Sequence, residues 1–170
     1  ARLTELYGDI PAVARPEPVY RPEPPQRGER RVTINGTGDP AYLTLAYHIP
    51  PATHPDYYPL TLLNAALAGG GSLGMFGGGG TNKSSRLYKA LVDTELAVGV
   101  NGGMAPSADP FLYTIGAVAR NGRSLAEVEA AIDAELARLA TEPITQAELD
   151  KALKRAKAQF VMAGESITGQ

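Results

Sequence analysis

GGGSLGMFGGGGTNKSSRLYKALVDTELAVG, residues 69–99, is the stretch that divides the chain into two similar halves. Eight of the twelve positions from Gly69 to Gly80 are glycine. Glycine loses more conformational freedom on folding than any other residue, so this composition disfavours a helix or strand interior. The first part of the stretch is therefore predicted to be a hinge or a loop next to a substrate. The glycines that form this candidate site are Gly69, Gly70, Gly71, Gly74, Gly77, Gly78, Gly79 and Gly80.

The segment that follows the glycines predicts an amphipathic helix. Ser84 or Ser85 is a suitable N-cap, because a hydroxyl there can accept a bond from a free backbone N–H. Leu87 and Leu91 are four residues apart and so share one face of a helix. The charged positions expected outside that face are Arg86 and Lys89.

Length and composition exclude several classes of function. A chain of 170 residues is long enough for one core, burying roughly 70% of the surface that the unfolded chain exposes. The net charge of −2 gives no general attraction to nucleic acids, which need a basic face. No apolar run is long enough for a membrane span. The absence of cysteine excludes a disulfide, a thiolate metal site and a cysteine nucleophile.

The beginning of the chain is predicted to lie outside the main domain. Residues 1–10 have the pattern of a last helical turn that ends at Gly8, and we interpret them as the tail of an upstream domain. Six prolines between Pro11 and Pro25 indicate an extended, semi-rigid linker over residues 11–30. Residues 31–170 then form the domain itself. Without an initiator methionine or a leader, the chain is expected to be a segment of a longer polypeptide.

Two pairs of strands and two pairs of helices are predicted in the domain. Residues 31–35 and 41–49 are rich in strand formers and are separated by turn residues. In the second of these segments the residues alternate, with an apolar set on one face: Leu43, Leu45, Tyr47 and Ile49. A helix is predicted to begin near Pro55 or Asp56 and to run to the glycines.

The second half repeats this order. Leu96, Val98 and Val100 alternate with smaller residues, and residues 111–119 predict another strand. The spacing of Ser124 and Glu127 is that of a reciprocal capping box, and Thr145 and Glu148 repeat it. The apolar stripes of the two helices are Leu125, Val128, Ile132, Leu136 and Leu139, and then Leu149, Leu153, Ala156 and Phe160. The order β-β-α-α-β-β-α-α predicts an α+β fold with an antiparallel-rich sheet and helices on its apolar face.

Motifs for nucleotide binding fail on their context. Gly69, Gly71 and Gly74 match G-x-G-x-x-G, but they follow a helical pattern rather than a strand. A P-loop needs glycine directly before lysine, whereas Thr81 and Asn82 come between Gly80 and Lys83. A nucleotide-binding module therefore remains only as a competing hypothesis.

Catalytic and metal-binding constellations are also not found. His48 lies at a strand end and His54 in a proline-rich turn, and they lack the spacing of a zinc site. The serines lack the G-x-S-x-G elbow of a hydrolase. The acidic residues 127, 129, 133 and 135 are interpreted as the solvated face of a helix. We therefore assign neither catalytic residues nor a metal or cofactor to this chain.

The order of several segments resembles the pitrilysin or insulinase family of zinc peptidases, which includes mitochondrial processing peptidase. The resemblance covers nearly the whole chain. Its most specific parts are SRLYKAL with the strand LAVGV that follows it, and the T-x-x-E-L-D-K helix. The segments that carry it are YGDIPA (7–12), GERRVTI (28–34), AYLTLAYHIP (41–50), LNAALAGG (63–70), SSRLYKALVDTELAVGV (84–100) and EPITQAELDKALKRAKAQF (142–160).

The resemblance implies a repeated domain, similar to that of LuxS and the processing peptidases, in two halves that close over an unfolded peptide. The zinc motif H-x-x-E-H of the family belongs to another domain, so residues 31–170 look like a following, metal-free domain that stops before its later helices. Some members hold the substrate backbone with an Arg and a Tyr. The corresponding positions here are Val92 and Val98.

The resemblance leads to two hypotheses of function. The first is a non-catalytic domain of a zinc metalloendopeptidase, which encloses the peptide substrate chamber and packs against a catalytic zinc domain of the same chain or of a partner chain. The second is a scaffold or assembly protein of the same fold, whose parent has no peptidase activity. In the first case zinc belongs to the parent's catalytic domain, and the expected compartment is the bacterial cytoplasm or periplasm.

Overall fold

The computed structural model describes residues 2–11, 13–14, 16–17, 23–69 and 83–164. The chain divides into two compact units, Ala1–Gly36 and Thr37–Gln170. In the first unit, helix α1 spans Arg2–Tyr7. Gly8 follows it and donates its N–H to the carbonyl of Thr4 at 2.9 Å. The helix predicted at the start of the chain is therefore present.

The second unit is built on a three-stranded antiparallel sheet. The strands are β1 (Tyr42–Ile49), β2 (Ala97–Met104) and β3 (Phe111–Ala119), in the spatial order β1-β3-β2. The helices are α2 (Tyr57–Leu67), α3 (Leu125–Thr141) and α4 (Gln146–Gly164). A π-helical turn, Tyr88–Val92, precedes β2. The predicted α+β class with an antiparallel sheet is confirmed.

One strand of the prediction is wrong in this structure. Residues 31–36 have no regular secondary structure, although their sequence alternates like a strand. The side chains of Val32 and Ile34 are 83% and 88% exposed. An alternating pattern forms a strand only when a neighbouring strand pairs with it, and that pairing is not encoded locally.

The apolar face of the sheet and the helices form the core. Leu43 and Leu45 of β1 lie opposite Ala117 and Ile115 of β3, which places these four side chains on one face. Helix α3 packs on that face, and α2 packs against β2 and α4. The core residues with the least exposure, at most 2%, are Leu67, Leu87, Leu91, Ala97, Ile115, Ala119, Val128 and Ile132. The sheet thus has one covered face, as its period-two pattern predicts.

The prediction for β2 is corrected by a β-bulge. The register shifts between Ala97 and Gly99, and a bulge sets two residues against one on the neighbouring strand. Ala97 and Val100 therefore both face the core, while Val98 is 60% exposed. The predicted grouping of Leu96, Val98 and Val100 on one face is wrong for this reason.

Helices α3 and α4 begin where the capping boxes predict. The Ser124 hydroxyl accepts from the Glu127 N–H at 3.2 Å, and the Glu127 carboxylate accepts from the Ser124 N–H at 2.8 Å. The Thr145 N–H donates to the Glu148 carboxylate in the same way, at 2.7 Å. Among the α4 side chains that the structure describes, however, Ala152 is the buried one, and Leu153 is 37% exposed.

Candidate functional site

The predicted glycine site is mostly outside the described residues. Gly69 is described, with φ of +93° in the left-handed region that glycine adopts without strain. It directly follows Ala68, whose N–H closes α2 on the carbonyl of Asn64 at 2.9 Å. The other candidates lie within residues 70–82, which the structure does not describe: Gly70, Gly71, Gly74, Gly77, Gly78, Gly79 and Gly80. A hinge or chamber loop there stays a prediction.

A buried ion pair anchors the chain shortly after residues 70–82. Arg86 is 7% exposed, and its guanidinium forms two parallel bonds of 2.9 Å to the carboxylate of Glu148. The same guanidinium donates to the carbonyls of Glu142 at 3.0 Å and Pro143 at 3.1 Å. The prediction that Arg86 lies outside is therefore wrong. Its fork of donors matches a planar carboxylate and two carbonyls, so the residue is buried without unpaired charge.

Glu148 has two roles in this arrangement. Its carboxylate caps α4 through Thr145 and also binds Arg86. The hydrogen bond from Arg86 is the largest cause that lowers the pKa of Glu148 to about 2, and burial opposes it. The pKa of Arg86 is raised, chiefly by the same hydrogen bond. The pair therefore stays ionised at neutral pH and fixes the π-turn region to the start of α4.

No helix of the described part of the chain covers the other face of the sheet. The strand register brings side chains of β1 opposite those of β3, as in Thr44 with Gly116 and Ala46 with Thr114. On β2, Asn101 and Gly103 pair with the same two positions of β3. All the β1 residues on this face are exposed. The residues that form this open face are Tyr42, Thr44, Ala46, His48, Asn101, Gly103, Leu112, Thr114, Gly116 and Val118.

The two histidines lie in different elements of the fold. His48 is on the open face at the end of β1, and His54 lies in the loop before α2. The Nδ1 atom of His54 accepts the Asp56 N–H at 3.2 Å and lies 3.7 Å from the Asp56 carboxylate. Across the described ranges, no group of three or more His, Cys, Asp or Glu side chains could hold a metal ion. Likewise, no described helix is long and apolar enough to cross a membrane.

A cavity of about 180 Å³ lies between the covered face of the sheet and helices α2 and α3. Asn64 of α2, 6% exposed, donates to the carbonyl of Gly102 at 3.3 Å. Its Oδ1 accepts from the hydroxyl of Tyr113 at 3.0 Å. Burial raises the pKa of Tyr113, so the phenol remains a neutral donor. The cavity lining is otherwise apolar and includes Tyr47, Ile49, Leu60, Leu63, Leu136 and Leu139.

Neither the Arg86–Glu148 pair nor the Asn64–Tyr113 bond could be identified from sequence spacing. The members of the first pair are 62 residues apart, and those of the second are 49 apart. One residue in the sequence, Gly102, could have indicated the Asn64–Tyr113 contact, because a glycine inside a strand often marks a close approach of other atoms.

Comparison with known protein families agrees with this α+β arrangement. The model of the peptidase M16 inactive domain matches residues 1–156. The chain belongs to this family. The resemblance drawn from its sequence segments is thereby confirmed, as is its assignment to the non-catalytic type of domain. The M16 match includes α1, the sheet and most of α4.

Solved structures of proteases contain the same fold. A protein from Bordetella pertussis Tohama I described as a zinc protease is 30% identical, with a TM-score of 0.62 over 75% of this chain and 64% of its own. A protease from Helicobacter pylori is 28% identical, with a TM-score of 0.64 over 75% of this chain and 28% of its own. The inactive peptidase domain of a Bordetella parapertussis protein, also described as a zinc protease, is 29% identical, with a TM-score of 0.59. That match covers 72% of this chain and 60% of the other.

This chain therefore covers less than two thirds of the length of each of these three structures. A search of curated proteins finds no match.

Proposed function

We propose that this chain is a wall of the peptide substrate chamber in a zinc metalloendopeptidase and packs against the catalytic zinc domain. The single observation that carries the proposal is the open face of the sheet. Helices cover one face of the sheet, whereas on the other face the β1 residues and Asn101 of β2 are exposed and the residues of the central strand β3 are partly exposed. Membership in the M16 inactive domain family supports the same role.

The chemistry of the open face suits a wall that an unfolded peptide passes. Thr44, Asn101 and Thr114 offer hydroxyl and amide groups that can exchange hydrogen bonds with a peptide backbone. The glycines and Ala46 keep the surface low, and the exposed aromatic residue, Tyr42, lies at one end of β1. Such a face lets a peptide lie against it without the tight binding that a large apolar patch would give.

The zinc and the groups that activate water would belong to another domain. The described part of this chain has no metal-binding group, and two of the similar structures come from proteins described as zinc proteases. Hydrolysis by a zinc-bound water needs three protein ligands and an open coordination position. We place these in a catalytic domain of the same chain or of a partner chain.

The first test examines the parent protein. The coding sequence before Ala1, or that of a partner chain that co-purifies with the parent, is expected to encode H-x-x-E-H, and the purified chain alone should not hydrolyse peptides. Zinc-dependent hydrolysis by the chain alone would refute the assignment. A parent without that motif and without activity would instead establish the scaffold alternative.

The second test compares two matched tryptophan variants in the complete peptidase. Ala46→Trp places an indole on the open face, and Ala134→Trp places one on the exposed side of α3. We expect Ala46→Trp to lower kcat/KM for peptide substrates, because the indole occupies chamber volume, while Ala134→Trp leaves it unchanged. Equal activity of the two variants, at equal thermal stability, would exclude the open face from the chamber.

A further inference from the structure

The chain contains the dipeptide Asn-Gly three times. Asn101–Gly102 lies inside strand β2, where it pairs with Gly116 and Ile115 of β3. The two pairs outside the strands are Asn35–Gly36 and Asn121–Gly122. In an Asn-Gly pair the glycine nitrogen can attack the asparagine side chain, because glycine has no side chain to hinder the approach. The four residues of the two pairs outside the strands are exposed to solvent. Local sequence and exposure are therefore similar, and the backbone is the main difference between the two sites.

The second pair is held in a turn between β3 and α3. The N–H of Arg123 donates to the carbonyl of Arg120 at 2.9 Å, and the N–H of Arg120 donates to the carbonyl of Leu96 at 3.0 Å. Gly122 has φ of +82°, whereas Asn121 does not have a positive φ. This is the pattern of a type II turn. The Ser124 N-cap of α3 follows at once, so both ends of the turn are fixed.

The first pair has no such constraint. Residues 31–36 form neither helix, strand nor hydrogen-bonded turn, and each of them is exposed. A Cβ placed on either Gly36 or Gly122 would find no atom within 4 Å, so the difference between the sites lies in the hydrogen-bonded backbone and not in crowding. The backbone and the side chain of Asn35 can therefore rotate together toward the geometry that closes a five-membered ring.

We propose that Asn35 is a site of spontaneous deamidation and that the turn protects Asn121 from the same reaction. The backbone nitrogen of Gly36 attacks Cγ of Asn35 and forms a C–N bond, and its proton passes to solvent base. The bond from Cγ to Nδ2 breaks and ammonia leaves, giving a cyclic imide. Water then opens the imide at either carbonyl and yields aspartate or isoaspartate.

The reaction changes the segment that leads into the domain. It replaces a neutral amide with a carboxylate, so each event adds one negative charge to a chain whose formal net charge is −2. The isoaspartate product also routes the main chain through the side-chain carbon. Ring closure at Asn121 would first have to break the Arg123–Arg120 bond that closes the turn.

The test follows both sites in the same molecule. The full chain is incubated in mildly alkaline buffer, and digestion with peptide mass spectrometry gives the loss of amide at each asparagine over time. We expect Asn35 to react about tenfold faster than Asn121, a ratio that corresponds to a barrier difference of about 1.4 kcal/mol. Gly36→Ala is expected to slow the reaction at Asn35 and to leave Asn121 unchanged.

A parallel incubation in concentrated denaturant separates structure from local sequence. Without the turn, the two rates should become similar. Equal rates in the folded chain, or a faster rate at Asn121, would overturn the proposal. So would a tenfold ratio that persists in the denaturant, because the folded backbone would then not be its cause.

Discussion

At the scale of single residues, Gly102 is a buried position of β2 where the fold leaves no space for a side chain. A Cβ there would lie 2.5 Å from the Cβ of Ala68, 2.5 Å from Oδ1 of Asn64 and 2.7 Å from the hydroxyl of Tyr113. Gly102→Ala is therefore expected to separate α2 from β2 and β3, and to lower the free energy of unfolding by about 1–3 kcal/mol. Urea denaturation measures this change.

The matched control for that variant lies in the same strand. A Cβ on Gly99 would meet no atom within 4 Å. Gly99→Ala should be neutral or stabilising by about 0.5 kcal/mol, because alanine restricts the unfolded chain. Similar losses for the two variants would mean that glycine is needed in β2 for a reason other than space.

Glu148 gives the second prediction at this scale. Glu148→Gln leaves the buried Arg86 charge without its carboxylate partner, with only the two backbone carbonyls still accepting from it. Breaking a buried ion pair costs about 3–5 kcal/mol, and we expect about 3 kcal/mol because Glu148 is partly exposed. Asp133→Asn, the same change of carboxylate to amide on the exposed side of α3, is expected to cost less than about 0.5 kcal/mol.

The pH dependence of stability tests the same ion pair. The pKa of Glu148 is lowered from 4.5 to about 2 in the folded chain, so below pH 4.5 the unfolded state binds the proton more readily. The stabilisation is therefore complete above pH 4.5 and is lost as the pH falls toward 2. The difference in unfolding free energy between wild type and Glu148→Gln should shrink over that range. A difference that stays constant would show that Glu148 does not titrate with this pKa.

At the scale of elements, the π-turn explains an unusual residue after it. The Asp93 N–H bonds the Tyr88 carbonyl at 3.2 Å, and the Leu96 N–H bonds the Leu91 carbonyl at 2.9 Å. The chain between them reverses through Glu95, which has φ of +61°. A residue with a Cβ adopts that left-handed conformation at a cost of about 1–2 kcal/mol. Burial of Leu87 and Leu91 on the core side of this turn offsets that cost.

Two substitutions at Glu95 measure the free-energy cost of its positive φ. Both Glu95→Gly and Glu95→Ala remove the exposed ion pair to Arg120, which spans 3.4 Å and contributes little. The glycine variant should be more stable than the alanine variant by about 1 kcal/mol. Thermal unfolding of the two variants side by side measures the difference. If the alanine variant were equally stable, φ of Glu95 would not be strained.

The helices and strands also show which structural features can be predicted from the local sequence. Both capping boxes predicted their helices, because all the bonds lie within three residues. The face of β1 was predicted from strict alternation. The bulge at Ala97–Gly99 could not be predicted from the sequence, because it arises from the pairing of β2 with β3.

At the scale of the whole molecule, the sequence predicted the class of fold better than the contacts that hold it. Arg86 looked like an exposed charge because its partner comes from α4, far along the chain. Residues 31–35 looked like a strand because alternation says nothing about whether a partner strand is present. The open face could be foreseen as the polar side of β1, but the register that joins it to β3 and β2 could not.

The last prediction concerns ligands of the whole chain. If the chemistry belongs to another domain, then zinc, ATP and NAD should leave the thermal midpoint of this chain unchanged. A ligand that binds only the folded state at about 100 times its Kd would add about 2.7 kcal/mol to stability. That increase would shift the midpoint clearly for a domain of this size. The Gly102→Ala variant, scanned in the same experiment, controls for sensitivity because its expected loss is of similar size. A shift with zinc that a chelator reverses would place a metal site in this chain. A shift with ATP or NAD would support the hypothesis that the glycine-rich segment binds a nucleotide.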